Sequence, residues 1–567
     1  MNVKLPQRIT AIGFGIIIAG LFYYQGLRGE FFLERAKANY IRVVPNEAIR
    51  GNIFDRKGVL LAYDTPLFGV AVIPCQISKY RDELFSEIAT FLKIPRESIE
   101  HAYKDNVKSL FVPTEIISKI EKEKILALKE ALGDDIVIKA TPRRFYPFSY
   151  EVSHVLGYVK SASSFYNDLK VYGYTPFERA GFQGLEQYYD SYLKGKDGGE
   201  LLEVDSAGRI VGFLGRKEPE RGKNVTITID IAMQRIAHQV LKGYRGVVIL
   251  IDPTNGSIYV LVSSPAYDLN RIIEGVGLDA IFNDNDNIIF NRAIQFTYPL
   301  GSVFKPILAV AGMEEKIVSS NTMVNCDGVF MLGSYKFRCT RSHGRQDISG
   351  AIKHSCNVYF YNLGLSLGIN KIAKWARRFG LGEVRGVDLP YENKGIVPDA
   401  YWKKKNKKSG WFKGDTVNTS IGQGYLEVTP LQAVVAMSVF ANGGYIVKPH
   451  LLKGIDNLET GIVSRDYLGI SPYILGVVKE ALRSVVSSRD GTAHMLDDLN
   501  LDIAGKTGTV QNVGKHHGWF LGFFPYDDPQ YSLCVLLENA GSSLEAEKVA
   551  YQFLKSLKEN KIINGKP

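Results

Sequence analysis

Nineteen residues from Ile9 to Leu27 carry no charge between Arg8 and Arg28, and this run constrains the chain more than any other feature. A helix rising about 1.5 Å per residue needs roughly 20 apolar residues to cross a bilayer's hydrocarbon core. The segment ITAIGFGIIIAGLFYYQGL meets that length and predicts a spanning helix over 9–27. A cleaved secretory signal has a shorter apolar region that ends in small residues. Bulky Tyr23 and Tyr24 followed by Gln25 close this run instead, which favours a retained anchor. Lys4 and Arg8, with no acid beside them, predict a cytoplasmic tail over 1–8, while Phe22, Tyr23 and Tyr24 suit the far interface. No other segment is long and apolar enough to span. The expected topology is therefore single-pass in the inner (cytoplasmic) membrane, with everything after residue 27 outside the cytoplasm, on the periplasmic or extracytoplasmic side.

A chain of 567 residues calls for two or three domains. Hydrophobic residues at 45% and charged ones at 23% match an ordinary globular protein, so no long disordered tract is expected. A formal charge of +10 raises the question of nucleic acid, yet Lys and Arg are spread along the chain. No zinc-finger, RRM or basic-helix pattern appears either, and no nucleic-acid partner is expected. A solvated basic surface beside an anionic membrane or wall polymer accounts for the charge.

Beyond the anchor, Asp55-Arg56-Lys57-Gly58 reads as a turn between two short β segments within Arg50 to Ala62. Glu121-Lys122-Glu123-Lys124 reads as a solvated helical face. Near Lys223 the texture changes: Val225 to Ile229 alternates as a half-buried strand, followed by a helix through Leu241. Gly246 to Ser263 gives two apolar strands around Asp252-Pro253-Thr254-Asn255-Gly256. Asp502 to Asn512, Gly518 to Phe524 and Tyr531 to Glu538 predict an antiparallel meander. Ser471 to Ser487 has apolar residues at helical spacing, and Ser542 with Glu545 forms a capping-box pattern before a last helix through Leu557. Helices covering an antiparallel sheet make the fold class α+β.

Three short motifs carry the chemistry: Ser302-Val303-Phe304-Lys305, Ser355-Cys356-Asn357 and Lys506-Thr507-Gly508-Thr509. Pro306 clashes in a helix interior with the carbonyl four residues back, which belongs to Ser302, so a helix carrying Lys305 must start close to Ser302. The hydroxyl then stands at a helix N-terminus, where the macrodipole favours negative charge on oxygen. A spacing of three puts Ser302 and Lys305 on one face, and burial of Lys305 would lower its pKa enough for the amine to act as a base. Ser355 and Asn357 alternate with Cys356 and face one side of a loop or helix start. The third motif fits a strand edge. Gly508 leaves room for a substrate backbone, and Lys506, Thr507 and Thr509 offer charge-assisted hydrogen bonds to a carboxylate.

In this order, SxxK, SxN and KTG resemble the signature of the penicillin-binding proteins. Arg50 to Ala62 resembles the RGxIxDRxGxxLA segment that opens the non-catalytic pedestal of class B members. Arg144-Phe145-Tyr146-Pro147, His154 to Val159, Gly184-Leu185-Glu186, Ile421 to Gly424, Thr429 to Gln432, Gly491-Thr492-Ala493 and Trp519-Phe520 extend the resemblance. As plain residues these clusters read as turns and packing. The resemblance implies an elongated mixed α/β pedestal of the dimerisation type over 28–221, a transpeptidase domain over 222–560 and a polar tail over 561–567. It implies a peptidoglycan D,D-transpeptidase that forms an acyl-serine on Ser302, is acylated by β-lactams and has a possible D,D-carboxypeptidase side activity. In that scheme Ser355 relays protons toward the leaving amine, Asn357 holds Lys305 and the substrate amide, and the Ser302 and Thr509 amides form the oxyanion hole.

Cys326, Cys339 and Cys356 lie with His343 between the first motif and the end of the second. Three thiolates and an imidazole make a closed tetrahedral zinc set, and such a metal would be structural. A disulfide between Cys326 and Cys339 with Cys356 merely buried is the rival reading in an oxidising compartment. A His-Gly pair and a Cys inside SxN resemble the elongation-type subgroup, penicillin-binding protein 2, where carboxylates can replace thiols; Asp327 and Asp347 are the nearby substitutes. No cofactor is expected for catalysis. The resemblance further implies a SEDS-type glycosyltransferase and elongation-complex proteins as partners, besides stem peptides, β-lactams and the membrane. A division-type septal enzyme and a β-lactam hydrolase or sensor are the alternatives.

Overall fold

A computed structural model describes residues 4–32, 41–107, 110, 113–161, 179–205, 210–460, 464–510 and 516–563. The anchor is helical from Lys4 to Phe22 and continues as a π-helical turn over Tyr23–Leu27. The tail expected over 1–8 is thus helical from Lys4. Pro6 falls in the first turn, where a missing N–H forfeits no bond. Gln7–Leu27 has a mean hydropathy of 1.5 and none of it is buried; among the described residues it is the one helix long and apolar enough to cross a membrane.

The rest divides into two compact units. The first holds residues up to 51, 64–145 and 194–223. Its antiparallel sheet runs in the order Ile41–Asn46, Gly198–Val204, Ile210–Lys217. A separate small core gathers Val70, Phe85, Ile88, Ile99, Ile116 and Leu128 from the helices Arg81–Leu92, Arg96–Asn106 and Lys122–Leu132 and the strands beside them. Glu121 and Lys124 pair at 2.8 Å on a solvated helical face, as the sequence predicts.

The second unit holds 52–63, 146–193 and everything from 224. Its antiparallel sheet has the order Ile258–Ser264, Gly246–Ile251, Tyr531–Leu537, His517–Phe524, Ala504–Val510. GVVILI and IYVLVSS are buried at every position, because the sheet is covered on both faces and an unbroken apolar run is what such strands need. The helix Pro430–Ala441 is likewise buried along its whole length. Thr429 starts it with a capping box to Gln432, so the Thr-Pro-Leu-Gln motif is a helix-start device. The strand expected over Val225–Ile229 covers only Val225–Ile227 and joins another sheet. Ser542 caps the last helix, Ser543–Glu559, but Glu545 does not close the expected box; it pairs with Lys548 at 2.8 Å and accepts from Tyr244 Oη at 3.2 Å.

Segments 52–63 and 146–193 belong to this unit through specific bonds. Asp55 accepts from Lys57 N and Val59 N, closing its turn, and from Ile231 N at the start of the helix Ile231–Val240. Tyr146 exchanges two bonds with Asn270, and Tyr189 Oη donates to Asp388 at 2.8 Å. Asp388 is then anchored by Leu451 N and Leu452 N. These motifs are structural, as their residue types indicate.

Candidate active site

Gly301–Phe304 forms a tight 3-10 turn that passes straight into the helix Lys305–Glu314. Pro306 sits in the first helical turn, so the helix begins beside Ser302 as the sequence requires. Lys305 is fully buried, and its Nζ donates to the Ser355 carbonyl at 2.7 Å, Ser355 Oγ at 3.2 Å and Asn357 Oδ1 at 2.7 Å. Ser302, expected to face it, shares no hydrogen bond with it among the described residues. The SxN motif occupies all three donor positions of the amine.

Burial lowers the Lys305 amine to about 8, against the opposing pull of Cys339 and Cys356. Lys506 is also fully buried and donates to the Thr507 carbonyl at 3.0 Å. Burial first, and the charge of Lys305 second, hold Lys506 well below the ordinary lysine range. Each proton on one of these amines disfavours a proton on the other, so the pair is primed to hold a free base.

Ser355 has φ +56° just after the helix Ile348–Lys353 and its cap, His354. Ser355 N bonds to the Ile352 carbonyl at 3.2 Å and Cys356 N to the Ala351 carbonyl at 2.9 Å. Those paired bonds are a Schellman stop, whose left-handed position usually holds glycine. A serine there costs about 1 kcal/mol of backbone strain. In return, both its carbonyl and its hydroxyl meet Lys305. Cys356 stands at the N-terminal boundary of the next helix, Asn357–Leu367, whose first residue, Asn357, meets the same amine.

Lys506 to Thr509 lie on Ala504–Val510, the outer strand of the five-stranded sheet, as a strand-edge motif should. A Cβ on Gly508 would stand 3.0 Å from Val303 Cγ1 and 3.1 Å from the Leu300 carbonyl oxygen. Its missing side chain therefore admits the Gly301–Phe304 turn rather than a substrate backbone. Gly422 serves the same turn from another side: its carbonyl accepts from Gly301 N at 2.8 Å, and a Cβ there would meet the Gly301 oxygen at 2.2 Å. Thr507 Oγ1 donates to Thr492 Oγ1 at 2.9 Å, and Thr509 Oγ1 accepts from Ser543 N at 3.1 Å. The Gly491-Thr492-Ala493 motif thereby steadies the strand. Trp519, paired with Gly508 across the ladder, donates from Nε1 to the Pro299 carbonyl at 3.0 Å.

Cys326, Cys339, His343 and Cys356 converge, with one ligand atom from each within 4.8 Å of all the others. His343 Nδ1 lies 3.5 Å from both Cys326 Sγ and Cys339 Sγ. All five cysteines are free thiols, so the alternative disulfide is not formed. A hydrogen bond from Cys356 holds the Cys339 thiol well below its usual range, and that same partnership pushes Cys356 up. Neither carboxylate substitute joins the group: Asp327 accepts from Asn325 Nδ2 at 2.7 Å, and Asp347 caps its helix through Gly350 N at 2.7 Å. Four soft donors at this spacing fit a tetrahedral zinc ion.

Some supporting residues carry no motif. His354 stacks on His343 with 5.8 Å between rings, and its Nε2 meets Asp490 at 2.8 Å, which places the cluster one step from the Thr492 loop. Tyr298 Oη donates to Glu538 at 2.6 Å, where Arg292 also bonds, bracing the chain just before the Gly301–Phe304 turn. Such bonds join residues far apart in sequence, and no local pattern announces them.

The Penicillin binding protein transpeptidase domain matches residues 246–557, and the Penicillin-binding Protein dimerisation domain matches 45–227. The peptidoglycan D,D-transpeptidase MrdA of Acinetobacter baumannii is 33% identical over 95% of this chain and 85% of its own length. A solved complex between penicillin-binding protein (PBP2) and MreC from Helicobacter pylori superposes with a TM-score of 0.83 at 28% identity, covering 93% of this chain and 100% of that one. A structure of a peptidoglycan synthase complex that coordinates polymerization and crosslinking gives a TM-score of 0.73 at 25% identity, covering 100% of this chain and 99% of that one. With both domain matches, this relative and the motif geometry above, the chain belongs to the penicillin-binding proteins.

Proposed function

We propose that this chain is an elongation-type peptidoglycan D,D-transpeptidase working through an acyl-serine on Ser302. The observation that carries the reading is the buried Lys305 amine, held by Ser355 and Asn357 one helical turn from Ser302. A neutral amine has two N–H bonds and a lone pair. It can donate to the Ser355 carbonyl and Asn357 Oδ1, which leaves the lone pair to accept the Ser302 proton. Ser302 gives its proton to Lys305 as Oγ attacks the penultimate D-alanine carbonyl, the Ser302 and Thr509 amides taking the oxyanion. Ser355 hands that proton to the departing D-alanine nitrogen. An amine on a second stem peptide then attacks the ester and restores the hydroxyl; water in its place gives D,D-carboxypeptidase activity. Lys506, Thr507 and Thr509 bind the terminal carboxylate, with Gly508 keeping the strand close to the nucleophile turn.

In this reading residues 9–27 anchor the chain in the inner membrane with 1–8 in the cytoplasm. Residues 28–221 are read as the pedestal, although 52–63 and 146–193 pack within the second unit, 222–560 as the periplasmic transpeptidase domain and 561–567 as a tail. No cofactor serves catalysis. Zinc held by Cys326, Cys339, His343 and Cys356 would act structurally, fixing the SxN motif by its middle residue. MreC in the Helicobacter pylori complex supports elongation-complex partners, and a SEDS-type glycosyltransferase would supply the glycan strands. Labelling with a fluorescent penicillin tests the reading: a persistent adduct that disappears in Ser302→Ala is expected, and rapid turnover or an adduct on another residue would refute it.

A further inference from the structure

Six lysines and no acid lie between Asp399 and Asp415: Lys403, Lys404, Lys405, Lys407, Lys408 and Lys413. Both flanking acids are already used. Asp399 pairs with Arg377 at 2.7 Å and caps the helix Ala400–Lys407 through Trp402 N, while Asp415 pairs with the buried Lys403. The other five lysines are exposed and make no ion pair among the described residues. Lys404 and Lys407 sit three apart on one helix, where like charges repel. Uncompensated charge of one sign works against folding and favours a partner of the opposite sign.

Aromatic rings accompany these charges. Tyr401 is 73% exposed and Phe412 64%, and Trp402 and Tyr425 lie 5.4 Å apart with Lys407 at 5.6 Å from the Tyr425 ring. The position is equally specific. The helix Lys413–Ser420 packs on Asn357–Leu367, and two residues beyond it the Gly422 carbonyl holds Gly301, the neighbour of Ser302. The lysine segment and the nucleophile therefore share one continuous support.

We propose that residues 400–413 form a docking rail for an uncross-linked peptidoglycan strand, the lysines taking stem-peptide carboxylates and the exposed rings the apolar faces of sugars. The proposal rests on the transpeptidase reading, because such an enzyme must hold a second strand while the first is bound to Ser302. Continuity with the nucleophile turn favours a wall strand over an anionic lipid surface, which would have no need to lie near Ser302.

Full-length protein in detergent provides the test, with soluble uncross-linked strands as the probe at low and high salt. The variant K404Q/K405Q/K407Q/K408Q changes only exposed side chains. Each exposed ion pair contributes little alone, so four lost together are expected to weaken binding on the order of tenfold at low salt and to flatten its salt dependence. Strands with amidated carboxylates should bind wild type as weakly as the variant binds intact strands. Penicillin labelling of Ser302 should be equal in both proteins, reporting an intact fold. Unchanged affinity in the variant, or for amidated strands, overturns the proposal. So does variant-sensitive binding to anionic phospholipid vesicles without binding to strands, which would make the rail a lipid contact. Failure of wild-type labelling would instead remove the enzyme reading and leave the strand-binding result standing.

Discussion

Asn357 donates its backbone N–H to Cys339 Sγ at 3.1 Å while its side chain accepts from Lys305 at 2.7 Å. One residue thus joins the thiol cluster to the buried Lys305 amine. Cys356, beside it, belongs to both the SxN motif and the cluster. A metal at the four donors would accordingly be coupled to the geometry around Lys305.

Metal analysis of purified protein should find about one zinc per chain, consistent with a closed four-ligand site. Removing it with a chelator, or substituting Cys339→Ser, should lower the thermal midpoint by several degrees and slow acylation of Ser302. A metal-free protein with full stability and full penicillin reactivity would rule out this coupling.

Acylation should follow the neutral fraction of Lys305. Its amine titrates near 8, so the rate constant for penicillin should rise about tenfold per pH unit below 8 and level off above. Stopped-flow acylation between pH 6 and 9.5 measures this. A rate independent of pH over that range would mean that Lys305 is not the base.

Ser355→Gly separates strain from chemistry. Glycine relieves the left-handed backbone at φ +56° but removes the hydroxyl bonded to Lys305. Stability should stay within about 1 kcal/mol of wild type. Acylation should fall roughly 10²–10⁴-fold, as for loss of a proton-transfer group. Denaturant unfolding beside single-turnover kinetics checks both, and equal rates would remove Ser355 from the proton path.

Gly508→Ala should harm the nucleophile turn directly. The new methyl would lie 3.0 Å from Val303 Cγ1 and 3.1 Å from the Leu300 oxygen, forcing the turn from its strand. A stability loss of about 1–3 kcal/mol is expected for such overpacking, with slower acylation even by a small penicillin. If only long peptide substrates suffered, Gly508 would be serving substrate space instead.

Local chemistry was readable from the chain because its rules are short-range. Pro306 dictated where the helix after Ser302 begins, and strand-length runs joined by short polar turns marked the three meander strands, Ala504–Val510, His517–Phe524 and Tyr531–Leu537. The convergence of four metal-type ligands was legible from residue type. What escaped depends on contacts between distant residues. Lys305 turns to residues some fifty positions away, Gly508 answers to Val303, and Glu545 leaves its capping role for Lys548 and Tyr244. Net charge, judged over the whole length, also hid the segment 400–413, whose flanking acids are spent within the protein.

Among the described residues, the strand Ala504–Val510 has a neighbour on one side only within its sheet. Its other margin offers main-chain groups, and these are common to every amino acid. A peptide or drug that binds along that margin grips something the gene has little means to rewrite. Escape from such an inhibitor has to come from the surroundings, through shifts in the Val303 turn, the Thr492 loop or the supports beneath Lys305.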